Sequence, residues 1–113
     1  MTQTLDSLIS NSGRQLQLRD QAFSDEVLSE KTLMSSTIIG SVFNNIKFDK
    51  IQFDNTTFSQ CQFSQCTFNQ SSLTAVQVYQ CNFHSCTFSD SNLAKSEFDS
   101  AIFYLCQFKE SLF

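Results

Sequence analysis

The chain has 113 residues, with thirteen phenylalanines, no tryptophan, no proline, two glycines and a formal net charge of −4. That length suits one domain with a modest core, and the excess of acids disfavours direct binding to phosphate backbones. Five cysteines is an odd number, which sits badly with a closed disulfide framework.

No basic stretch near the N-terminus leads into a long apolar run, so no signal peptide is expected. No segment stays apolar over the eighteen or so residues that span a bilayer. The expected setting is the cytoplasm, with reduced thiols and no membrane contact. TLDSLIS at 4–10 predicts a short helix: Thr4 is its N-cap, Leu5, Leu8 and Ile9 share a face, and Asn11, Ser12 and Gly13 stop it. A frayed tail is the competing reading. Apolar centres then recur every five residues at Leu18, Phe23, Leu28 and Leu33. Gln21, Glu26 and Lys31 lie two places before the last three, and a tight interior would hold them only at a large desolvation cost. Residues 1–35 are therefore expected to be an N-terminal cap or a degenerate first coil.

From Ser36 the five-residue register is unbroken. The units read STIIG, SVFNN, IKFDK, IQFDN, TTFSQ, CQFSQ, CTFNQ, SSLTA, VQVYQ, CNFHS, CTFSD, SNLAK, SEFDS, AIFYL, CQFKE and the partial SLF. Every phenylalanine from Phe23 to Phe113 falls on the third position of a unit. Such self-similarity marks a repeat architecture. Positions one and three of a unit point the same way in an extended chain. Each unit thus predicts a three-residue strand that faces inward twice, followed by a two-residue corner. CQFSQCTF at 61–68 returns twenty residues later as CNFHSCTF. Four units therefore make one turn, and about four coils stack over 36–113 with parallel ladders on four faces. The inward ladder is assigned to Phe43, Phe48, Phe53, Phe58, Phe63, Phe68, Phe83, Phe88, Phe98, Phe103 and Phe108.

Cys61, Cys66, Cys81, Cys86 and Cys106 occupy first positions that Ser, Thr, Ala and Val fill elsewhere. They read as small core fillers in the same ladder rather than metal or redox groups. In-register parallel neighbours hold their Cβ atoms about 4.8 Å apart, which suits a disulfide poorly. His84, the only histidine, sits at an outward position and cannot complete a metal site with them.

Tandem units with a small residue, a polar one and a central Leu or Phe resemble the pentapeptide repeat family over 36–113. The resemblance implies an all-β solenoid, specifically a right-handed quadrilateral parallel β-helix. It says little about function, because function lives in sites grafted on folds. The best-understood members are acidic, dimeric, rod-shaped mimics of DNA that bind type II topoisomerases such as gyrase and protect them from inhibitors.

No catalytic, cofactor or metal constellation is expected. The outward acids, Asp49, Asp54, Asp90, Glu97 and Asp99, are scattered, and a filled rod offers no cleft for paired-carboxylate chemistry. Two readings remain. The first is a non-catalytic interaction module that presents a flat polar surface to a protein partner. The second is DNA mimicry directed at a topoisomerase. Mimicry needs dense negative charge, yet 36–113 holds six acids (Asp49, Asp54, Asp90, Glu97, Asp99, Glu110) against four lysines (Lys47, Lys50, Lys95, Lys109), a net of −2. The first reading is therefore preferred. In the last coil the outward positions Ile102, Tyr104 and Leu105 turn apolar together, and the sequence stops at Leu112 and Phe113 in mid-unit. These five residues are the candidate self-association surface of a homodimer joined through the C-terminal coil.

Overall fold

The computed structural model describes residues 4–12 and 15–113. Helix α1 (Leu5–Ser12) comes first. Thr4 caps it, accepting the Ser7 amide on Oγ1 at 3.0 Å. Leu5 and Ile9 are buried and Leu8 packs against the same core. The expected stop at Gly13 lies outside the described residues.

Thirteen short strands follow: β1 (Gln17–Arg19), β2 (Ala22–Ser29), β3 (Thr37–Ile39), β4 (Val42–Asp49), β5 (Thr57–Ser59), β6 (Gln62–Ser64), β7 (Thr67–Asn69), β8 (Gln77–Tyr79), β9 (Asn82–His84), β10 (Thr87–Ser89), β11 (Glu97–Asp99), β12 (Ile102–Tyr104) and β13 (Gln107–Lys109). All pairings are parallel and join residues twenty apart, such as Phe63 with Phe83 and Phe68 with Phe88. The chain is thus a four-sided parallel β-solenoid. The four turns expected over 36–113, here turns 2 to 5, are preceded by one more, turn 1 (16–35), whose β1 and β2 pair in register with β3 and β4. With α1 the extents are 36 × 22 × 22 Å.

The first face carries β1, β3, β5, β8 and β11. The second carries β6, β9, β12 and the front halves of β2 and β4. The third carries β7, β10, β13 and the back halves of β2 and β4. These two long strands run round a corner and join both faces into one sheet. The fourth face departs from the expected ladder and holds only isolated bridges, at residues 32, 52, 72, 92 and 112. Two of its amides go to side chains: Asp54 Oδ1 accepts the Thr74 amide at 3.2 Å and Asn92 Oδ1 the Ala94 amide at 3.0 Å. β-turns close its corner, with the Thr56 amide on the Phe53 carbonyl and the Ser96 amide on that of Leu93.

Every fifth residue from Gln15 to Glu110 has φ between 51° and 63°, and all but Gly40 are non-glycine. This left-handed corner is what turns the strand through a quarter of the circuit. It is costly for an L-residue in isolation, by about 1–2 kcal/mol. Stacking compensates, because a corner amide with a turn after it finds a carbonyl there, as Gln65 N does on His84 O at 2.9 Å and Asp90 N does on Lys109 O at 2.9 Å.

Inside, the phenylalanines form two stacked columns. Phe43, Phe63, Phe83 and Phe103 lie with ring centroids 4.7–4.8 Å apart. Phe48, Phe68, Phe88 and Phe108 are spaced 4.5–4.8 Å. The two columns meet edge-on or tilted, the arrangement aromatic quadrupoles favour. The space left among Phe63, Phe68, Phe83 and Phe88 is about 10 Å³, and its apolar lining offers a water no partner.

Candidate functional site

The first positions line the corners of this interior, and there serine and cysteine do the same work. Ser71 Oγ accepts the Ile51 amide at 3.1 Å and donates to the Phe48 carbonyl at 3.4 Å. Cys81 Sγ accepts the Cys61 amide at 3.3 Å, and Cys61 Sγ donates to the Ile38 carbonyl at 3.4 Å. Cysteine replaces a hydroxyl with a larger apolar atom while keeping a weak donor and acceptor. All five thiols are free, with Cys61, Cys66, Cys81 and Cys86 buried and Cys106 half-buried. The neighbouring Cys81 thiol and burial push the Cys61 thiol up, Cys66 and burial do the same to Cys86, and burial pushes Cys106 up. These three are poor nucleophiles, while the Cys86 thiol draws Cys66 down and the Cys61 thiol draws Cys81 down. Among the described residues no cluster of three His, Cys, Asp or Glu could hold a metal.

Phe43, Phe48, Phe53, Phe58, Phe63, Phe68, Phe83 and Phe88 are buried. Phe98 and Phe103 are half-buried, and Phe108 is 37% exposed. The inward ladder is therefore dry through turn 4 and opens in turn 5.

A shallow depression of about 300 Å³ lies on the first face between β1 and β3. Arg19 is the one titratable side chain among its lining residues, Gln17, Leu18, Arg19, Thr37 and Ile39. It brings no acid, base or nucleophile together.

The outer surface is more informative. Residues 55–89 contain no Asp, Glu, Lys or Arg. Wound on the solenoid, this run becomes an uncharged belt that passes over all four faces. The charges lie on either side of it. On the second face the neutrality extends further. Outward positions there run Val42, Asn44, Asn45, then Gln62, Ser64, Gln65, then Asn82, His84, Ser85, then Ile102, Tyr104, Leu105. The single acid on this face is Asp25 in turn 1, whose Oδ1 accepts Asn45 Nδ2 at 2.8 Å. Of the five candidate self-association residues, Ile102, Tyr104 and Leu105 are 60%, 60% and 67% exposed and adjoin one another on this face and its corner. Leu112 and Phe113 are also exposed, but they belong to the fourth face. The Tyr104 ring stacks on His84, with centroids 5.2 Å apart and planes 20° apart. The apolar triplet was visible as a sequence pattern. The belt follows from combining the neutral run 55–89 with the twenty-residue turn.

A family model described as pentapeptide repeats matches in eight copies over residues 38–74 and 71–113. Among solved structures, the chain is similar to Rfr23, a pentapeptide repeat protein from the cyanobacterium Cyanothece 51142. The TM-score is 0.66 at 9% identity, over 88% of this chain and 89% of that one. A trypsin-treated form of QnrB1, described as a plasmid-mediated fluoroquinolone resistance protein, aligns with a TM-score of 0.49 at 19% identity. That alignment covers 78% of this chain and 48% of QnrB1. No curated protein matches the sequence. No helix among the described residues is long and apolar enough to cross a membrane. The family model covers the twenty-residue stack of five-residue units from turn 2 onward, and the chain belongs to the pentapeptide repeat family.

Proposed function

We propose that this chain is a non-catalytic, cytoplasmic protein-interaction module that works through its second face. The observation that carries this reading is the exposed Ile102–Tyr104–Leu105 patch on a face without charge beyond turn 1. Interface cores are depleted in charge and enriched in tyrosine. The first partner is a second copy of the chain. Two copies of net charge −4 repel one another, and this face lets them meet with no like-charge contact at the patch. Leu112 and Phe113, exposed on the fourth face, lie apart from this contact. The neutral carboxamides and hydroxyls of turns 2–4 remain free for another protein.

DNA mimicry is the less favoured reading, since the uncharged belt at 55–89 interrupts any regular row of negative charge. Sedimentation at micromolar concentration tests the preferred one. The wild type sediments as a dimer, and the double variant Tyr104→Asp, Leu105→Asp sediments as a folded monomer. A monomeric wild type, or a dimer indifferent to the double change, overturns the pairing.

A further inference from the structure

His84, the only histidine, lies on the second face and touches the patch. It lies on β9, exposed, between Ser64 of β6 and Tyr104 of β12 in the same column. The groups facing it are few. Ser64 is neutral, Tyr104 stacks on the ring at 5.2 Å, and Cys86 reaches only the His84 carbonyl, through Sγ at 3.6 Å. No Asp, Glu, Lys or Arg lies on β6, β9 or β12.

We propose that His84 is a pH-sensitive switch on self-association. The inference rests on the pairing described above. Neutral imidazole adds a flat, weakly polar ring behind Tyr104 and leaves the patch without charge. Histidine gains its charge in the range below neutrality. Imidazolium places a cation at the edge of an apolar contact that offers no carboxylate to pair with it, so burial there costs desolvation energy. Two-fold symmetry brings two such cations to one interface. The cation also binds the face of Tyr104 more firmly through its quadrupole, holding the ring on its own rod. Both effects favour the monomer at acid pH.

The test is sedimentation of the full chain under reducing conditions near pH 7.5 and near pH 5.5, with His84→Gln and His84→Lys alongside. The wild type is expected to pair near pH 7.5 and to lose about tenfold or more in association constant near pH 5.5. His84→Gln pairs equally at both, and His84→Lys pairs weakly at both. Dimers of equal affinity at the two pH values in the wild type, or the full acid loss retained in His84→Gln, overturn the switch and leave the pairing standing. A wild type monomeric near pH 7.5 overturns the pairing and the switch with it.

Discussion

Turn 3 fills its four corner slots with Thr56, Cys61, Cys66 and Ser71, whereas turn 1 places Leu16, Gln21, Glu26 and Lys31 in the equivalent slots. The register is the same and the strands pair without a break. The difference lies in what surrounds each turn. Turn 3 has a turn on either side, so its corners must be small and must bond to the backbone above and below. Turn 1 has α1 on its outer side. Glu26 uses both carboxylate oxygens there, accepting the Leu5 amide on Oε2 at 2.9 Å and the Asp6 amide on Oε1 at 3.0 Å. It thus satisfies two of the orphan donors at the helix start and places a negative charge where the helix dipole favours one. Lys31 Nζ donates to Ser10 Oγ at 3.1 Å and lies 3.7 Å from Asp6 Oδ1. Residues that a dry interior would exclude thus join the buried Leu5 and Ile9 in holding the cap to the rod.

The largest expected contrast between the two regions is kinetic. If turns 3 and 4 open only with much of the fold, Cys61, Cys66, Cys81 and Cys86 should react with a thiol reagent roughly a thousandfold more slowly than in denaturant. Cys106 should react first. Five thiols titrating in denaturant without reductant completes the expectation. Several fast native thiols would show that the ladder opens locally.

Next in size is a cavity in the dry ladder. Phe63→Ala removes a ring stacked between Phe43 and Phe83 and should cost about 3–5 kcal/mol in urea unfolding. Its outward neighbour sets the scale for the surface, and Gln62→Ala should change stability by no more than about 0.5 kcal/mol. Similar costs for the two would break the inward and outward assignment.

Smaller than the cavity is the loosening of the cap. Glu26→Ala strips α1 of the acceptor for two amides and should cost about 1–3 kcal/mol. Hydrogen exchange should quicken in α1 and turn 1 while turns 3 and 4 keep their protection. A uniform loss of protection would mean that cap and ladder unfold as one body, and that the contrast is one of composition alone.

Much of this was legible from spacing. Phenylalanine at every fifth residue fixes the unit, and the twenty-residue return fixes which rings stack. Thr4 ahead of Leu5, Leu8 and Ile9 is enough to find α1, because capping is local. Glu26 and Lys31 read only as misfits, since their partners lie about twenty residues away on an element of a different kind. The fourth face was expected to be a ladder like the others. The units there hold inward residues as good as any, but each ends in a tight turn, closed by bonds such as the Thr56 amide on the Phe53 carbonyl, where the other faces continue as strand. The charge-free belt was present in the sequence as a run, and the twenty-residue return is what gives that run its geometry.

The strict twenty-residue pairing also makes length a free variable in the history of such a chain. Duplicating a block such as 56–75 returns every residue to its own column, adds one ring to each stack and lengthens the rod by about 4.8 Å. Gaining or losing five residues keeps inside and outside intact but rotates every later column by one face, carrying Ile102, Tyr104 and Leu105 to a different side. A change that is not a multiple of five puts polar corners into the core. Genes of this kind can therefore grow or shrink by whole turns with little penalty. A five-residue slip turns the same surface toward a new direction.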